Sequence, residues 1–112
     1  MSIKLSKRET ATLRELAHEA WEAELHDALE SLFEDFCQWA DDGYSSMELA
    51  ERIHEFHDGP ARELYKRYTA LPPRIAVARA IAVGAIDESA LSAELLEKLE
   101  DDIAIHQRLN ED

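Results

Sequence analysis

The chain has 112 residues, of which 25 are acidic and 12 are Lys or Arg, so that its formal net charge is −13 at pH 7. This length suits one compact domain with a modest core. The charge disfavours binding to nucleic acid or an anionic membrane, because each approach would begin with repulsion, and it favours neutral or basic partners. A single Cys cannot form an internal disulfide, and no signal-peptide or membrane-span pattern is present. We therefore predict a soluble cytoplasmic protein.

The charge is unevenly distributed along the chain. Residues 1–43 carry 11 acidic and 4 basic side chains, residues 44–84 carry 5 and 6, and residues 85–112 carry 9 and 2. The net charges of the three segments are therefore −7, +1 and −7. Acidic runs on exposed helix faces usually only solvate the surface, and recruitment of a basic partner is the alternative interpretation.

The residue pattern predicts an all-α protein. Gly and Pro are scarce, with three of each, and the apolar residues recur at steps of three and four rather than alternating. We expect about five helices in a single domain over residues 1–112. A long dimerising helix occupies residues 1–43, a compact helical head occupies residues 44–112, and two copies form a dimeric helical bundle.

The first helix is predicted to span about residues 7–41, with Ser6 and Glu9 forming a capping box at its start. A helix of this length is roughly 50 Å long, whereas a compact domain of this size has a radius of gyration of only about 13 Å. It must either bend near residues 24–27 or pack against a second copy of the chain, and we favour the homodimer. The apolar seam that would form the interface comprises Trp21, Leu25, Leu29, Leu32, Phe36 and Trp39.

Shorter helices are expected after the long one. Gly43 ends the first helix, and the second spans about residues 46–57. The run of residues 58–60, Asp-Gly-Pro, is expected to break the chain and to place Pro60 at the start of a third helix. A fourth helix follows Pro72-Pro73 and is apolar on nearly every side, which places it at the centre of the head. Asp87 is expected to begin the last helix.

Two Glu-x-x-His pairs, Glu15 with His18 and Glu51 with His54, are the candidates for metal ligands. This spacing places a carboxylate and an imidazole on one helix face, as in di-iron four-helix bundles. Such pairs are also common on any acidic helix. We favour surface pairing and predict no metal or other cofactor, with a carboxylate and His metal-binding bundle as an alternative.

Catalytic motifs are not evident in the sequence. It has no Gly-rich phosphate loop, no nucleophile elbow and no Cys/His zinc spacing. Cys37, between Phe36 and Trp39, is interpreted as a small buried hydrophobic residue. We therefore predict that the protein is not an enzyme and has no catalytic residues.

The densest cluster of polar and aromatic residues outside the acidic segments is the run 51–58 with the nearby Arg62. One interpretation is a hydrogen-bonded histidine at a packed interface. The other is a docking surface on which His54, Glu55 and Arg62 make directional contacts beside Phe56. Both hold if the docking surface borders a dimer seam.

The order and spacing of several motifs resemble those of the fluorescence recovery protein family. These are small all-helical cyanobacterial dimers that bind the orange carotenoid protein and accelerate its return from the photoactivated to the resting form in photoprotection. The resemblance covers about residues 6–103. The motifs are Ala-x-x-Ala-Trp-x-x-Glu-Leu at 17–25, Ile-His-Glu-Phe at 53–56, Glu63-Leu64 with Tyr68, the apolar helix, and Gly-Ala-Ile at 84–86 leading to Leu91.

The resemblance implies a homodimer built on the long helix, with a carotenoid-binding protein as its partner. The family's binding patch has a Trp, a His and an Asp on the second helix and an Arg just beyond it. In this chain His54 keeps the His, Glu55 replaces the Asp, Glu51 stands at the Trp position, and Arg62 adjoins Ala61 at the Arg position. The predicted partner-binding residues are therefore His54, Glu55, Glu51 and Arg62. The alternative is a family relative without a carotenoid partner, serving as a scaffold or regulatory dimer.

Overall fold

The computed structural model describes residues 4–111, and within that range the chain is all-helical with no strand, as predicted. The long helix at its N-terminal end is also confirmed. The elements in chain order are α1 (Lys7–Ala40), α2 (Ser46–Phe56), a π turn (His57–Ala61), α3 (Arg62–Ala70), α4 (Pro73–Ala82), a 3-10 turn (Glu88–Ala90) and α5 (Ala93–Glu111).

The helix α1 runs for 34 residues without interruption, which excludes a bend near residues 24–27. The predicted capping box is present: Ser6 Oγ accepts the Glu9 N–H at 3.0 Å, and the Glu9 carboxylate accepts the Ser6 N–H at 2.9 Å. The radius of gyration is 17.3 Å and the longest dimension is 55 Å. The helix therefore extends beyond its own domain, as its length predicts.

The end of α1 is a Schellman motif, in which backbone N–H groups return to the last free carbonyls. Gly43 donates to the Gln38 carbonyl at 2.7 Å, and Asp42 donates to the Trp39 carbonyl at 3.1 Å. The residue in the left-handed conformation is Asp42, with φ of 63°, and not Gly43. A Cβ at Gly43 would lie 3.0 Å from the backbone carbonyl oxygen of Gln38, which is a tight contact with an atom of the helix itself.

The predicted break between the second and third helices is wrong. Residues 57–61 form a π turn that joins α2 to α3, and Pro60 lies inside that turn. In an α-helix, a proline ring clashes with the carbonyl four residues earlier, and the wider π turn relieves this clash. Within the described residues the chain thus has four continuous helical segments, because the second and third of the predicted five are one.

The core lies where α1, α4 and α5 meet. Its central helix is α4, as predicted from its composition, with Val77 and Ala78 inaccessible to solvent. The first half of α1 contributes to the same core and is therefore part of the head. The buried residues of this core are Leu13, Leu16, Val77, Ala78, Leu91, Leu95, Leu99 and Ile103.

The last helix begins later than predicted. Asp87 caps the 3-10 turn by accepting the Ser89 N–H at 2.8 Å, and α5 begins only at Ala93, where Ser92 Oγ accepts the Leu95 N–H at 3.1 Å. A short 3-10 turn suits this corner because it places Leu91 in the core. No helix among residues 4–111 combines the length and apolar character that a membrane span needs.

Two ion pairs fasten α5 to the rest of the head. Arg74 Nη1 lies 2.6 Å from Asp102 Oδ2, and Lys98 Nζ lies 2.8 Å from Glu9 Oε1. The Lys98 ammonium lowers the pKa of the Glu9 carboxyl, and the Ser6 N–H lowers it further. The carboxylate that caps α1 is therefore also its link to α5.

Candidate functional site

The second half of α1 presents apolar side chains to solvent, and we call Leu25, Leu29, Leu32, Phe33, Phe36 and Trp39 the arm face. Phe33 is 67% exposed, Leu29 46%, Trp39 41% and Phe36 39%, while Leu25 and Leu32 are half-buried. Exposed apolar groups this close together are unusual on a protein that functions alone. Five of the six predicted dimer-interface residues are on this face.

Cys37 is exposed, so the prediction of a buried side chain is wrong. The reason is that this part of α1 lies beyond the head and has no packed layer on that side. Trp39 has a polar contact, since its indole N–H donates to Ser46 Oγ at 3.0 Å. That hydrogen bond ties the end of α1 to the start of α2.

The sixth predicted interface residue, Trp21, is in a different environment. Its ring stacks on Tyr68 with a centroid distance of 5.9 Å and meets the edge of Tyr65 at 6.0 Å. Both tyrosines belong to α3 of the same chain. Trp21 therefore contacts the head, in geometries that aromatic pairs prefer.

Next to these aromatic rings, polar side chains from three helices meet at the carboxylate of Glu24. The Tyr68 hydroxyl donates to Glu24 at 2.5 Å, and Arg79 and Arg67 lie 3.2 and 3.9 Å from the same carboxylate. Burial raises the pKa of the Tyr68 phenol well above its ordinary value, and its hydrogen bond to Glu24 raises it further. We call these four residues the Glu24 cluster, and it joins α1 to α3 and α4.

Sequence reasoning missed the Glu24 cluster, although a signal was present. Glu24 lies one turn after Ala20 and one turn before Ala28, on the stripe of α1 that faces the head. Arg79 is the only charged residue in the apolar run of α4 from Ile75 to Val83. A charge on an apolar stripe is costly to bury unless it is paired with an opposite charge. Glu24 and Arg79 therefore predict that the two stripes pack against each other.

The four predicted partner-binding residues are Glu51, His54, Glu55 and Arg62, and together we call them the α2 patch. All four are exposed. His54 Nε2 lies 3.0 Å from Asp58 Oδ2, and its side chain is 76% exposed. No packed surface covers this imidazole, so the interpretation of a buried interface histidine does not hold in the single chain.

The π turn divides the α2 patch. Arg62 lines a hollow of about 390 Å³ together with His57, Asp58, Ala61 and Tyr65. Asp58 thus borders the hollow of Arg62 and also pairs with His54. Glu55 lines a separate hollow that faces α1. The structure therefore brings His54 and Arg62 to one surface, through Asp58, and turns Glu55 toward another.

The hollow lined by Glu55 belongs to a longer depression between α1 and the α2–α3 segment, which we call the inter-helix groove. It consists of two hollows of about 290 Å³ each, which share Ala28 and Pro60. The first also includes Ser31, Leu32, Asp35, Arg52, Glu55 and Phe56. The second also includes Glu24, Asp27, Glu63, Leu64 and Arg67.

The candidate metal ligands do not form a site. Among residues 4–111, no three His, Cys, Asp or Glu side chains converge as metal ligands. Glu15, His18 and Glu51 are exposed, and His54 pairs with Asp58 instead. The geometry therefore offers two isolated Glu-x-x-His pairs and no bundle of ligands.

Comparisons of the chain with models of protein families, with curated proteins and with solved structures found no match. The resemblance to the fluorescence recovery proteins therefore stays a prediction from the motifs.

Proposed function

We propose that this protein is a non-enzymatic regulator that acts by binding another protein, as the fluorescence recovery proteins that it resembles do, and that it works as a homodimer. The observation that carries the proposal is the arm face, where Phe33, Leu29, Trp39 and Phe36 are 39% to 67% exposed on one rigid helix. Such a face is typical of a surface that another chain covers.

A second copy of the chain is the proposed cover in the free protein. Burial of a large apolar side chain contributes roughly 1.5–3 kcal/mol when complete. The opposing term is repulsion between acidic residues of the two copies, and exposed charge pairs are worth at most about 1 kcal/mol each at physiological salt. We propose that the apolar contribution outweighs this repulsion, which salt screens, so that we expect a dimer whose affinity increases with salt.

The α2 patch is the proposed binding surface for the second protein. His54, held by Asp58, and Arg62 lie beside the hollow at Tyr65, an arrangement of directional polar groups around an exposed ring. If the partner is the orange carotenoid protein, tighter binding to the transition state of relaxation than to the photoactivated conformer would lower the barrier to relaxation. Equal affinity for both conformers would shift nothing.

The test is the dark recovery of photoactivated orange carotenoid protein with and without this protein. We expect faster recovery with the wild type, and loss of that effect in the double variant His54→Ala, Arg62→Ala. The matched control is His106→Ala, Arg108→Ala, which removes the same two side-chain types from α5 and should retain the effect. An unchanged recovery rate with the wild type would refute the carotenoid-protein role.

A scaffold or regulatory dimer with another partner is the second candidate, and Glu51 favours it. This exposed carboxylate stands where the fluorescence recovery proteins have a Trp, so that an apolar anchor is replaced by a charge. A dimer in sedimentation experiments that leaves carotenoid-protein recovery unchanged would support this candidate over the first.

A further inference from the structure

We propose that the inter-helix groove binds an extended basic segment of a partner protein. The proposal rests on the proposed function only in taking the ligand to be part of a protein. The groove is separate from the arm face, with which it shares Leu32 alone.

The floor of the groove is apolar and shallow. Ala28 and Pro60 connect its two hollows, with Leu32 and Phe56 on one side and Leu64 on the other. The π turn places Pro60 here and leaves its ring facing the groove instead of a bulkier polar side chain. The two hollows follow one another along α1, from Glu24 to Asp35. An extended segment that lies along α1 would contact both of them.

The rim of the groove is acidic and without a counter-charge. Among the described residues, no Lys, Arg or His nitrogen pairs with the four rim carboxylates, which belong to Asp27, Asp35, Glu55 and Glu63. The two arginines of the groove are already engaged: Arg52 with Glu48 at 3.9 Å and over the Tyr44 ring at 4.9 Å, and Arg67 with Glu24. The groove is therefore lined by five carboxylates and two guanidinium groups, and a basic ligand would balance the excess of negative charge.

The negative charge around the groove also favours a basic ligand. Between Arg14 and Arg52 the chain has twelve acidic residues and no Lys or Arg. This field attracts a basic segment and speeds its association, and it repels an anionic one. Arginine suits the rim because its guanidinium can bind a carboxylate through two parallel hydrogen bonds. Small residues between the basic side chains would cover Ala28 and Pro60.

The test uses a short peptide of alternating Arg and Ala with blocked ends, titrated into the full chain at physiological salt and followed by amide shifts. The matched control peptide has citrulline in place of Arg, which keeps the shape and removes the charge. We expect binding of the Arg peptide alone, with shifts centred on Ala28, Ser31 and Leu64. Equal binding of the citrulline peptide, or shifts confined to the acidic residues of α5, would overturn the proposal.

Variants of the rim separate a specific site from general attraction. The double variant Asp35→Asn, Glu63→Gln should weaken binding of the Arg peptide about tenfold, since each exposed pair is worth up to about fivefold. The control Glu34→Gln, Glu97→Gln makes the same change in net charge on exposed residues outside the groove and should weaken binding less than twofold. Equal losses in the two variants would contradict a groove site. Failure of the carotenoid-protein assay alone would leave this result untouched.

Discussion

The Tyr68 hydroxyl donates to Oε2 of Glu24 at 2.5 Å, and this contact links the long helix α1 to α3. The same carboxylate is 3.2 Å from Arg79 Nη1 of α4, and its side chain is only 18% exposed. The helix α1 is thus held against α3 and α4 by a polar cluster as well as by the apolar core.

Glu24→Gln should destabilise the protein by about 1–3 kcal/mol in urea unfolding followed by circular dichroism. The amide keeps the size of the side chain and can still accept from Tyr68, but it removes the charge that compensates Arg67 and Arg79. The matched control is Glu30→Gln, which breaks an exposed pair with His26 and should change stability by less than about 0.5 kcal/mol. Similar losses in the two variants would mean that the Glu24 cluster contributes no more than a surface ion pair.

The Tyr68 phenol should make the folded state sensitive to alkali. Its pKa in the folded protein is raised, chiefly by burial, so the folded state keeps this proton longer than the unfolded chain does. The contribution to stability is fully present below the ordinary tyrosine pKa of about 10 and is lost as pH rises toward the folded value. Tyr68→Phe should therefore flatten the fall in melting temperature above that pH, and the same slope in both proteins would contradict the assignment.

Asp42→Gly should stabilise the protein by about 1 kcal/mol. Asp42 has φ of 63° at the C-terminal end of α1, where glycine has no steric penalty and where a negative charge faces the negative end of the helix dipole. Asp42→Asn is the control for charge and should give part of the gain. Gly43→Ala should have the opposite effect, because its Cβ would lie 3.0 Å from the backbone carbonyl oxygen of Gln38. Urea unfolding of the three variants gives the order, and a loss of stability in Asp42→Gly would contradict it.

Leu29→Glu should dissociate the proposed dimer. Leu29 lies in the middle of the arm face and is 46% exposed in the single chain, so that the change disturbs the fold little and places a carboxylate in the interface. Sedimentation velocity at micromolar concentration should show a dimer for the wild type and a monomer for the variant. Leu109→Glu, a similar change at an exposed leucine of α5, is the control and should remain dimeric. A monomeric wild type would refute the dimer.

Local sequence signals predicted α1 closely, from the capping box of Ser6 and Glu9 to an end within a residue of the predicted Asp41. They failed at Pro60, because whether a proline breaks a helix depends on whether the turn can widen to hold its ring. They failed at Cys37 for a different reason. Periodicity shows that Phe36 and Trp39 share one side of α1, but it does not tell which chain, if any, covers that side.

For the α2 patch, the structure shows that the chosen residues are exposed but groups them differently from the sequence, and their role in binding stays a prediction. Glu51, His54, Glu55 and Arg62 were chosen from adjacent sequence, and all four are exposed. The π turn then separates Glu55, which lines the inter-helix groove, from Arg62, which lines the hollow at Tyr65. A π turn has one residue more than an α-helical turn, and it therefore rotates all later side chains about the helix axis. Residues that would share one face of a regular α-helix then lie on different surfaces.

The sequence by itself determined the helical class, the long first helix, the apolar character of α4 and the excess of acid, since each depends on residue type and spacing along the chain. Only the tertiary structure decided that Glu24 would be neutralised by Arg79, that Trp21 would stack on Tyr68, and that four carboxylates with no ion-pair partner among the described residues would line one groove. The physical reason is distance in the chain. Glu24 and Arg79 are 55 residues apart, and only the packing of α4 against α1 brings them within reach of each other.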